Sequence, residues 1–240
     1  ENSSEAVINA LLLRLEDGNE DVRSSAAQAL GSLGNGSEAV INALLLRLED
    51  GNEDVRSSAA QALGSLGNTS EAVLIALLLR LEDEDENENV RNWAAYALGK
   101  LGKTSESVIS ALLFRLEDGR KLVRGCASQA LRQLGNASEA VISALLLRLE
   151  DGNDWVRREA TEALGNFGNA SESIISALLL RLEDGHDWVR HGAVEALGKL
   201  GLKSSDVLPA VVQWIDRHQD TAYVGSGIDV LWDLVASDGN

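Results

Sequence analysis

The sequence predicts an all-α solenoid of about seven two-helix repeats, and three observations carry that prediction. Ser4, Ser37, Ser70, Ser105, Ser138, Ser171 and Ser204 recur at steps of 33 residues, with one step of 35 where Asp83-Glu84-Asp85-Glu86 carries a two-residue insertion. Residues 4–35 and 37–68 are identical, which marks an array grown from a copied unit. Aliphatic residues are plentiful while aromatics make up 4% and proline occurs once, a composition suited to helices packed through Leu, Val, Ile and Ala. The whole chain, 1–240, therefore reads as a single array with repeats at 4–36, 37–69, 70–104, 105–137, 138–170 and 171–203 and a terminal unit at 204–240.

Each repeat contains two helix patterns. Ser4 is expected to cap a first helix whose Val7, Ile8, Leu11, Leu12 and Leu15 follow helical spacing and make a broad apolar face. Asp17-Gly18-Asn19 ends it, and Asn19 can cap a second helix. There Glu20 and Asp21 suit the dipole, and Val22, Ala26, Ala29, Leu30 and Leu33 face inward. Gly34 and Asn35 close the repeat, while Ala26, Ala27 and Ala29 keep the second helix thin enough for close approach. Two helices of this size cannot bury both faces alone, so neighbours must stack and stability should sum over repeats and interfaces. The terminal unit keeps apolar spacing through Val207, Val211 and Ile215 and then Ile228, Leu231 and Leu234. It loses the Val-Arg pair and gains Asp229, Asp233 and Asp238, as expected of a cap with a wetter outer face; Trp214 and Trp232 are assigned to its core.

Composition bounds the function. A formal charge of -17 removes the phosphate neutralisation on which nonspecific DNA or RNA binding depends. The lone Cys126 rules out an intramolecular disulfide framework and fits a reducing, cytosolic compartment. No apolar run reaches the roughly 18 residues of a membrane span, and the absence of an initiator Met and of a signal peptide leads us to expect a piece of a longer protein. Asn-x-Ser/Thr at Asn35, Asn68, Asn136 and Asn169 recurs at repeat junctions, where a turn before a helix accounts for it without glycosylation.

The second-helix pattern Val-Arg-x-x-Ala-Ala-x-Ala-Leu-Gly-x-Leu-Gly, at Val22–Gly34 and Val55–Gly67, resembles the short bacterial HEAT-like repeats of phycobilisome lyases over nearly the whole chain. The junction Leu-Gly-Asn-x-Ser-Glu-Ala-Val-Ile, as at Leu134–Ile142, is similar to arrays that follow NACHT-type nucleotidase modules in bacteria. The resemblance implies a right-handed superhelix whose second helices line a concave, ligand-holding surface. Variation among the repeats agrees: positions equivalent to Val22, Arg23, Ala26, Ala29, Leu30 and Leu33 barely change, whereas those of Glu20, Asp21, Ser24, Ser25, Gln28 and Ser32 change freely.

The recurring Arg23, Arg56, Arg91, Arg124, Arg157 and Arg190 read as a structural ladder to carboxylates such as Asp17 and Asp50. Surface pairs of this kind contribute roughly 0–1 kcal/mol each, so the ladder sets register more than stability. At the variable positions the first two repeats offer only Ser, Gln, Glu and Asp. Repeat three offers Asn92, Trp93 and Tyr96, and repeat four Lys121, Leu122 and Gln129. Repeat five offers Trp155, Arg158 and Glu159, and repeat six Trp188, His191 and Glu195. These twelve are the candidate partner-binding residues, because exposed Trp, Tyr and Arg dominate interface energetics. Trp155 and Trp188 share one helix position, where the first repeats carry solvated Asp21 and Asp54. Repeat four, with three acids and five bases, is a local +2 island beside repeat three at -3, and Arg120, Lys121, Arg124 and Arg132 could meet an acidic peptide.

Catalytic chemistry is not expected. No His is followed by Glu, so the metal-binding dyads of HEAT-like deoxyhypusine hydroxylases are missing. His186 and His191 lie five apart and do not share a helix face as a metal pair would. The acidic loop Glu82–Glu88 lacks the spaced ligands and turn Gly of a calcium loop, and no phosphate-binding glycine loop or nucleophile elbow occurs. The leading expectation is a non-enzymatic, cofactor-free segment that binds a protein or peptide on the concave face, joined to other domains of a bacterial NACHT-like signalling or defence protein. A bilin lyase subunit and a synthetic consensus-like scaffold are the alternatives.

Overall fold

The computed structural model describes residues 3–82, 87–103 and 105–237. The acidic insertion at 83–86 and Asp238 lie outside them. Among the described residues fourteen helices run in pairs: α1 (Ser3–Arg14) and α2 (Glu20–Leu33), α3 (Glu38–Arg47) and α4 (Glu53–Leu66), α5 (Glu71–Glu82) and α6 (Glu88–Leu101), α7 (Glu106–Arg115) and α8 (Lys121–Leu134), α9 (Glu139–Arg148) and α10 (Asp154–Phe167), α11 (Glu172–Arg181) and α12 (Asp187–Gly201), α13 (Val207–Arg217) and α14 (Val224–Ser237). The fold is an α-solenoid of about seven repeats. The helices group into two compact blocks, Glu1–Leu134 and Gly135–Asn240. Within the first block α2, α4, α6 and α8 stack in succession, and within the second α10, α12 and α14 do so.

Local chemistry sets the element ends. Asn19 and Asn52 accept backbone N–H groups of α2 and α4 at 2.8–3.2 Å, the N-cap arrangement, and His186 takes the same position before α12. The recurring serine caps α7 as expected at Ser105, whose hydroxyl accepts the Val108 N–H at 3.4 Å, but works differently at three other junctions. Ser37, Ser138 and Ser171 occupy the N-cap position without a side-chain cap bond. The asparagine two residues earlier instead accepts the serine N–H: Asn35, Asn68, Asn136 and Asn169 all do this, at 2.9–3.0 Å. The Asn-x-Ser signature is thus an Asx turn that aims the chain into the next first helix. Ahead of it, Gly34, Gly67, Gly102, Gly135 and Gly168 adopt left-handed backbone with φ of 65–70°.

Stacking rests on one close approach. A Cβ on Gly31, Gly64, Gly99 or Gly165 would lie 2.6–2.7 Å from the Cα of Ala62, Ala97, Ala130 or Ala196 in the following second helix. Only glycine against alanine permits backbones this near. The core on either side is aliphatic, with Val55, Ala59, Leu63, Leu44 and Leu48 closed to solvent and the first-repeat equivalents of Leu44 and Val55, which are Leu11 and Val22, half-buried.

Charged side chains join successive repeats. Arg23 donates through Nε and Nη2 to both Asp50 oxygens, at 2.9 and 2.8 Å, and through Nη1 to the Asp17 and Gly18 carbonyls. Its carboxylate partner is therefore the next repeat's aspartate, while Asp17 contributes only its carbonyl. Asp50 is two-ended, since its own carbonyl accepts from Arg56 at 2.7 Å. Arg157 repeats the arrangement with both oxygens of Asp184, at 2.7 Å, and with the Asp151 carbonyl. A second arginine, absent from the ladder read in the sequence, stands on the first helix. Arg47 lies 3.9 Å from Asp50 and donates to the Leu15 carbonyl; Arg181 lies 3.8 Å from Asp184 and donates to the Leu149 carbonyl and to Glu150. Each binds the end of the preceding first helix to its own repeat.

The terminal repeat departs from this plan. Trp214 stands 33 residues after Arg181, in the position of the first-helix arginine, and is buried as expected. Its ring stacks on His218 at 4.2 Å, and His218 Nε2 reaches Glu183 at 2.8 Å, a contact made by Arg181 to Glu150 one junction earlier. Trp232 corrects the sequence reading: it is 74% exposed. It projects from α14 at the position equivalent to Glu195, which is exposed in its own repeat.

Two tests follow. Gly64→Ala should lower stability by about 2 kcal/mol, overpacking outweighing the roughly 1 kcal/mol gain in helix propensity. Gly51→Ala, with nothing within 4 Å of the added carbon, should leave it nearly unchanged; urea titration of both compares them. The hydrogen bonds and charge of Arg23 hold the Asp50 carboxyl below its ordinary value. At Asp184 burial pushes upward, but the bonds from Arg157 and the His186 N–H and the nearby arginines leave the shift downward. A depressed carboxyl stabilises the fold above its unfolded pKa of about 3.9 and loses that contribution as pH falls through the folded value. Melting temperature should therefore hold above about pH 5 and fall below pH 4, with a shallower acid decline in the Asp50→Asn, Asp184→Asn double variant.

Candidate functional site

Within each block the second helices turn a strip of residues outward, at the positions of Asp21, Gln28 and Ser32, with the position of Ser24 at its edge, where Ser57 is buried. In the first two repeats this strip is small and polar. Ser24 and Ser58 hydroxyls meet at 2.9 Å, Gln28 donates to Ser58 at 3.0 Å, and a shallow hollow of about 150 Å³ lies among Gln28, Gly31, Ser32, Gln61, Ala62 and Ser65. Nothing there offers an aromatic or aliphatic anchor.

Repeats three and four, still in the first block, change the chemistry. Trp93 and Tyr96, one turn apart on α6, meet edge to face at 5.4 Å, and the Lys100 ammonium lies 5.7 Å from the Tyr96 ring centre. Both aromatics are half-buried, as is Asn92. On α8, Lys121 is exposed in the first turn, while Leu122 and Gln129 are half-buried.

The second block carries the most exposed aromatic of the predicted set. Trp188, in the first turn of α12, is 65% exposed, and the Arg158 guanidinium from α10 lies 5.6 Å from its ring centre. Arg158 is held in turn by Glu162 at 2.7 Å, and His186 packs edge-on to Trp188 at 5.9 Å while its Nε2 lies 3.2 Å from Asp154. The indole is thus oriented by side chains of two helices. Further along α12, His191 and Glu195 are exposed and 3.2 Å apart, and Lys199 bridges to Asn166 at 3.0 Å. Trp155, at the same repeat position as Trp188, is half-buried.

One predicted contact residue is withdrawn from this surface. Glu159 is 4% exposed, at the repeat position of Ser58, which is also 4% exposed. Glu159 and Ser58 turn toward neighbouring helices while Trp93, at the same repeat position in α6, stays half-buried, so freedom to vary among repeats does not by itself make a surface residue. Conversely, the sequence reading missed Trp232, whose place on the strip is legible only after the terminal repeat is aligned through its buried Val230 and Leu234. The arginine row occupies a different line. Arg23 and Arg157 pair with aspartates, and Arg56, Arg124 and Arg190 donate to the carbonyls of Asp50, Asp118 and Asp184. Arg190 also contacts Asp187 and lies over the Tyr223 ring, and Arg91 is 2% exposed. Among the described residues no helix is long and apolar enough to cross a membrane, and no cluster of three or more His, Cys, Asp or Glu is placed to hold a metal ion.

Comparison with known proteins adds the family. The chain is similar in structure to the CpcE–CpcF complex of phycocyanin lyase from Nostoc sp. PCC7120, with 23% identity, 95% of this chain and 94% of that chain covered, and a TM-score of 0.62. It is similar to a designed armadillo repeat protein in complex with the peptide (KR)4, at 21% identity over 80% of this chain and 99% of that one, with a TM-score of 0.59. Importin beta is also similar, at 15% identity and a TM-score of 0.71 over 98% of this chain and 36% of the importin. At these identities the likeness is one of fold. No curated protein matches the chain significantly in sequence. A family model for HEAT repeats matches residues 8–86, 41–132, 75–165 and 142–232, and the chain belongs to the HEAT-repeat family.

Proposed function

We propose that this chain is a non-catalytic scaffold that binds a protein or peptide on the outward strip of its second helices. The observation that carries the reading is Trp188, two-thirds exposed and fixed by Arg158 and His186 on a framework whose first two repeats keep the strip small and polar. A rigid, oriented indole with an adjacent guanidinium is the kind of anchor that dominates protein interfaces, and ordering it before binding lowers the entropic cost of association. The armadillo protein that holds (KR)4 shows what a stacked-helix fold can do; it supports the reading by fold alone. The proposed contact residues are Asn92, Trp93, Tyr96, Lys121, Leu122 and Gln129 on the strip of the first block, and Trp155, Arg158, Trp188, His191 and Glu195 on the strip of the second.

The finer placement, a cytosolic segment of a larger bacterial NACHT-like protein, rests on the junction at Leu134–Ile142. A second reading, handling of a bilin chromophore, is favoured by the match in length and fold to the phycocyanin lyase subunits. The two readings separate simply, because a chromophore-handling subunit recovers coloured complexes from cells that make bilin and a peptide scaffold does not.

Trp155→Ala combined with Trp188→Ala should leave helicity unchanged. The exposed Trp188 should contribute no more than about 0.5 kcal/mol to stability, while partner affinity should fall at least tenfold. Affinity capture from the source organism with native and variant protein side by side, followed by titration of whatever the variant loses, measures this. Equal recovery of the same proteins by both would end the assignment of the strip, and a large drop in melting temperature would place the two rings in structural packing instead.

A further inference from the structure

Every first helix from the first repeat to the sixth turns one large apolar residue to solvent. Leu13, Leu46, Leu79 and Phe114 in the first block are 64%, 66%, 52% and 61% exposed, and Leu147 and Leu180 in the second block hold the same repeat position at 65% and 56%. Single exposed leucines are ordinary. A row of them at one repeat position is not, and copying does not account for it. Repeats one and two are identical, but the repeats that have diverged also keep an apolar side chain here, changing leucine only to Phe114. The fold does not require it, since the terminal repeat places an exposed glutamine, Gln213, at this position of α13. One turn earlier, the position of Asn9, Asn42 and Ser110 becomes Ile75 in repeat three, 49% exposed. The apolar row is therefore broadest on α5.

The charges beside the row select its occupant. One turn beyond it stand the exposed Glu16, Glu49 and Glu117, and about two turns before it the exposed Glu5, Glu38, Glu71 and Glu106. The first-helix arginines turn to other work. Arg47 donates to the Leu15 carbonyl, and Arg115, 5% exposed, bridges to Asp118 with its guanidinium 4.4 Å from the Phe114 ring centre. The exposed bases next to these helices in the chain are Arg14, bridged to Asp17, Lys103 ahead of α7 and Arg120 beyond it. An apolar row between two rows of carboxylates repels a second copy of itself, an anionic membrane and a nucleic acid by like charge. It suits a segment whose apolar side chains are flanked by lysine or arginine. The spacing of the repeats suits a helix: packed helices stand about 8–10 Å apart, and residues seven apart on an α-helix are separated by about 10.5 Å along its axis. A helix with heptad-spaced apolar residues can thus lay one side chain against each successive repeat.

We propose that the outer face of α1, α3, α5 and α7 is a docking surface for a basic amphipathic helix. Its apolar side chains cover Leu13, Leu46, Ile75, Leu79 and Phe114, and its lysines or arginines meet the flanking glutamates. This surface lies on the first helices and is independent of the second-helix strip at Trp188.

Fluorescence anisotropy tests it, with the full chain titrated into a labelled peptide of about 22 residues, long enough at ~1.5 Å per residue to cross four repeats. The peptide carries leucine at two positions of each heptad and lysine elsewhere, and a second peptide of the same composition in scrambled order is the control. The amphipathic peptide should bind at least tenfold more tightly than the scrambled one, and less tightly as salt rises. Leu46→Ser with Leu79→Ser should lower its affinity at least tenfold with unchanged circular dichroism. Glu16→Gln, Glu49→Gln and Glu117→Gln together should weaken binding and flatten its salt dependence, while Trp188→Ala should change nothing. Equal affinity for the scrambled peptide, or undiminished binding by the leucine variant, would reduce the attraction to net charge and overturn the proposal. Absence of peptide binding would also overturn it, as would a leucine-dependent dimer in sedimentation velocity or leucine-dependent capture on phosphatidylcholine vesicles, either of which gives the row to another occupant.

Discussion

Glycine facing alanine across successive second helices sets the distance at which the repeats stack, and most other features of the molecule are consequences of that distance. With Gly64 directly over Ala97, no side chain can occupy the line of contact. The residues on either side are therefore sorted by geometry. Those at the positions of Ser25 and Ala27 are drawn into the interface, and those at the positions of Asp21, Gln28 and Ser32 are left outside. The outward strip exists because the contact line beneath it is narrow.

Arginine and aspartate then fix the register that close approach alone would leave free to slide. Asp50 receives Arg23 from the preceding repeat on its carboxylate and Arg56 from its own on its carbonyl, so one loop residue ties two helices and two repeats together. Arginine suits this work because its planar fork can meet a carboxylate in bidentate fashion while the remaining nitrogen reaches a carbonyl, which an ammonium cannot reproduce. The first-helix arginines brace the same carboxylates from the other side. At the last junction the brace is an indole stacked on an imidazole, and the bond to Glu183 comes from His218. The terminal repeat is thus attached by different chemistry and presents a different outer face.

The framework leaves function to a few substitutions on a constant ground. Stacked repeats tolerate change at the strip because nothing in the contact line depends on it. Asp21 can become Trp188, and Ser24 can become Arg158 in one repeat and His191 in the next, without altering the spacing. Trp188 derives its orientation from Arg158 on α10 and His186 ahead of α12, so the anchor is a property of neighbouring repeats and not of one.

The period of 33 residues, the pairing of helices and most inward aliphatic positions were readable in the sequence, because helical spacing and repetition are one-dimensional properties of the chain; Val7 and Leu33, read as inward, are instead 48% and 49% exposed. The asparagine turns and left-handed glycines were readable for the same reason. What only the tertiary structure decided were relations between residues about 30 apart: that Arg23 binds Asp50 and not the Asp17 carboxylate, that Glu159 is buried although its position varies, and that Trp232 stands in solvent. Each depends on which side of a helix meets its neighbour. Periodicity separates an apolar stripe from a polar one, yet it cannot say whether an apolar residue on the last repeat has anything to pack against. Burial is settled by the presence of a second surface, and that surface belongs to the stacking, not to the residue.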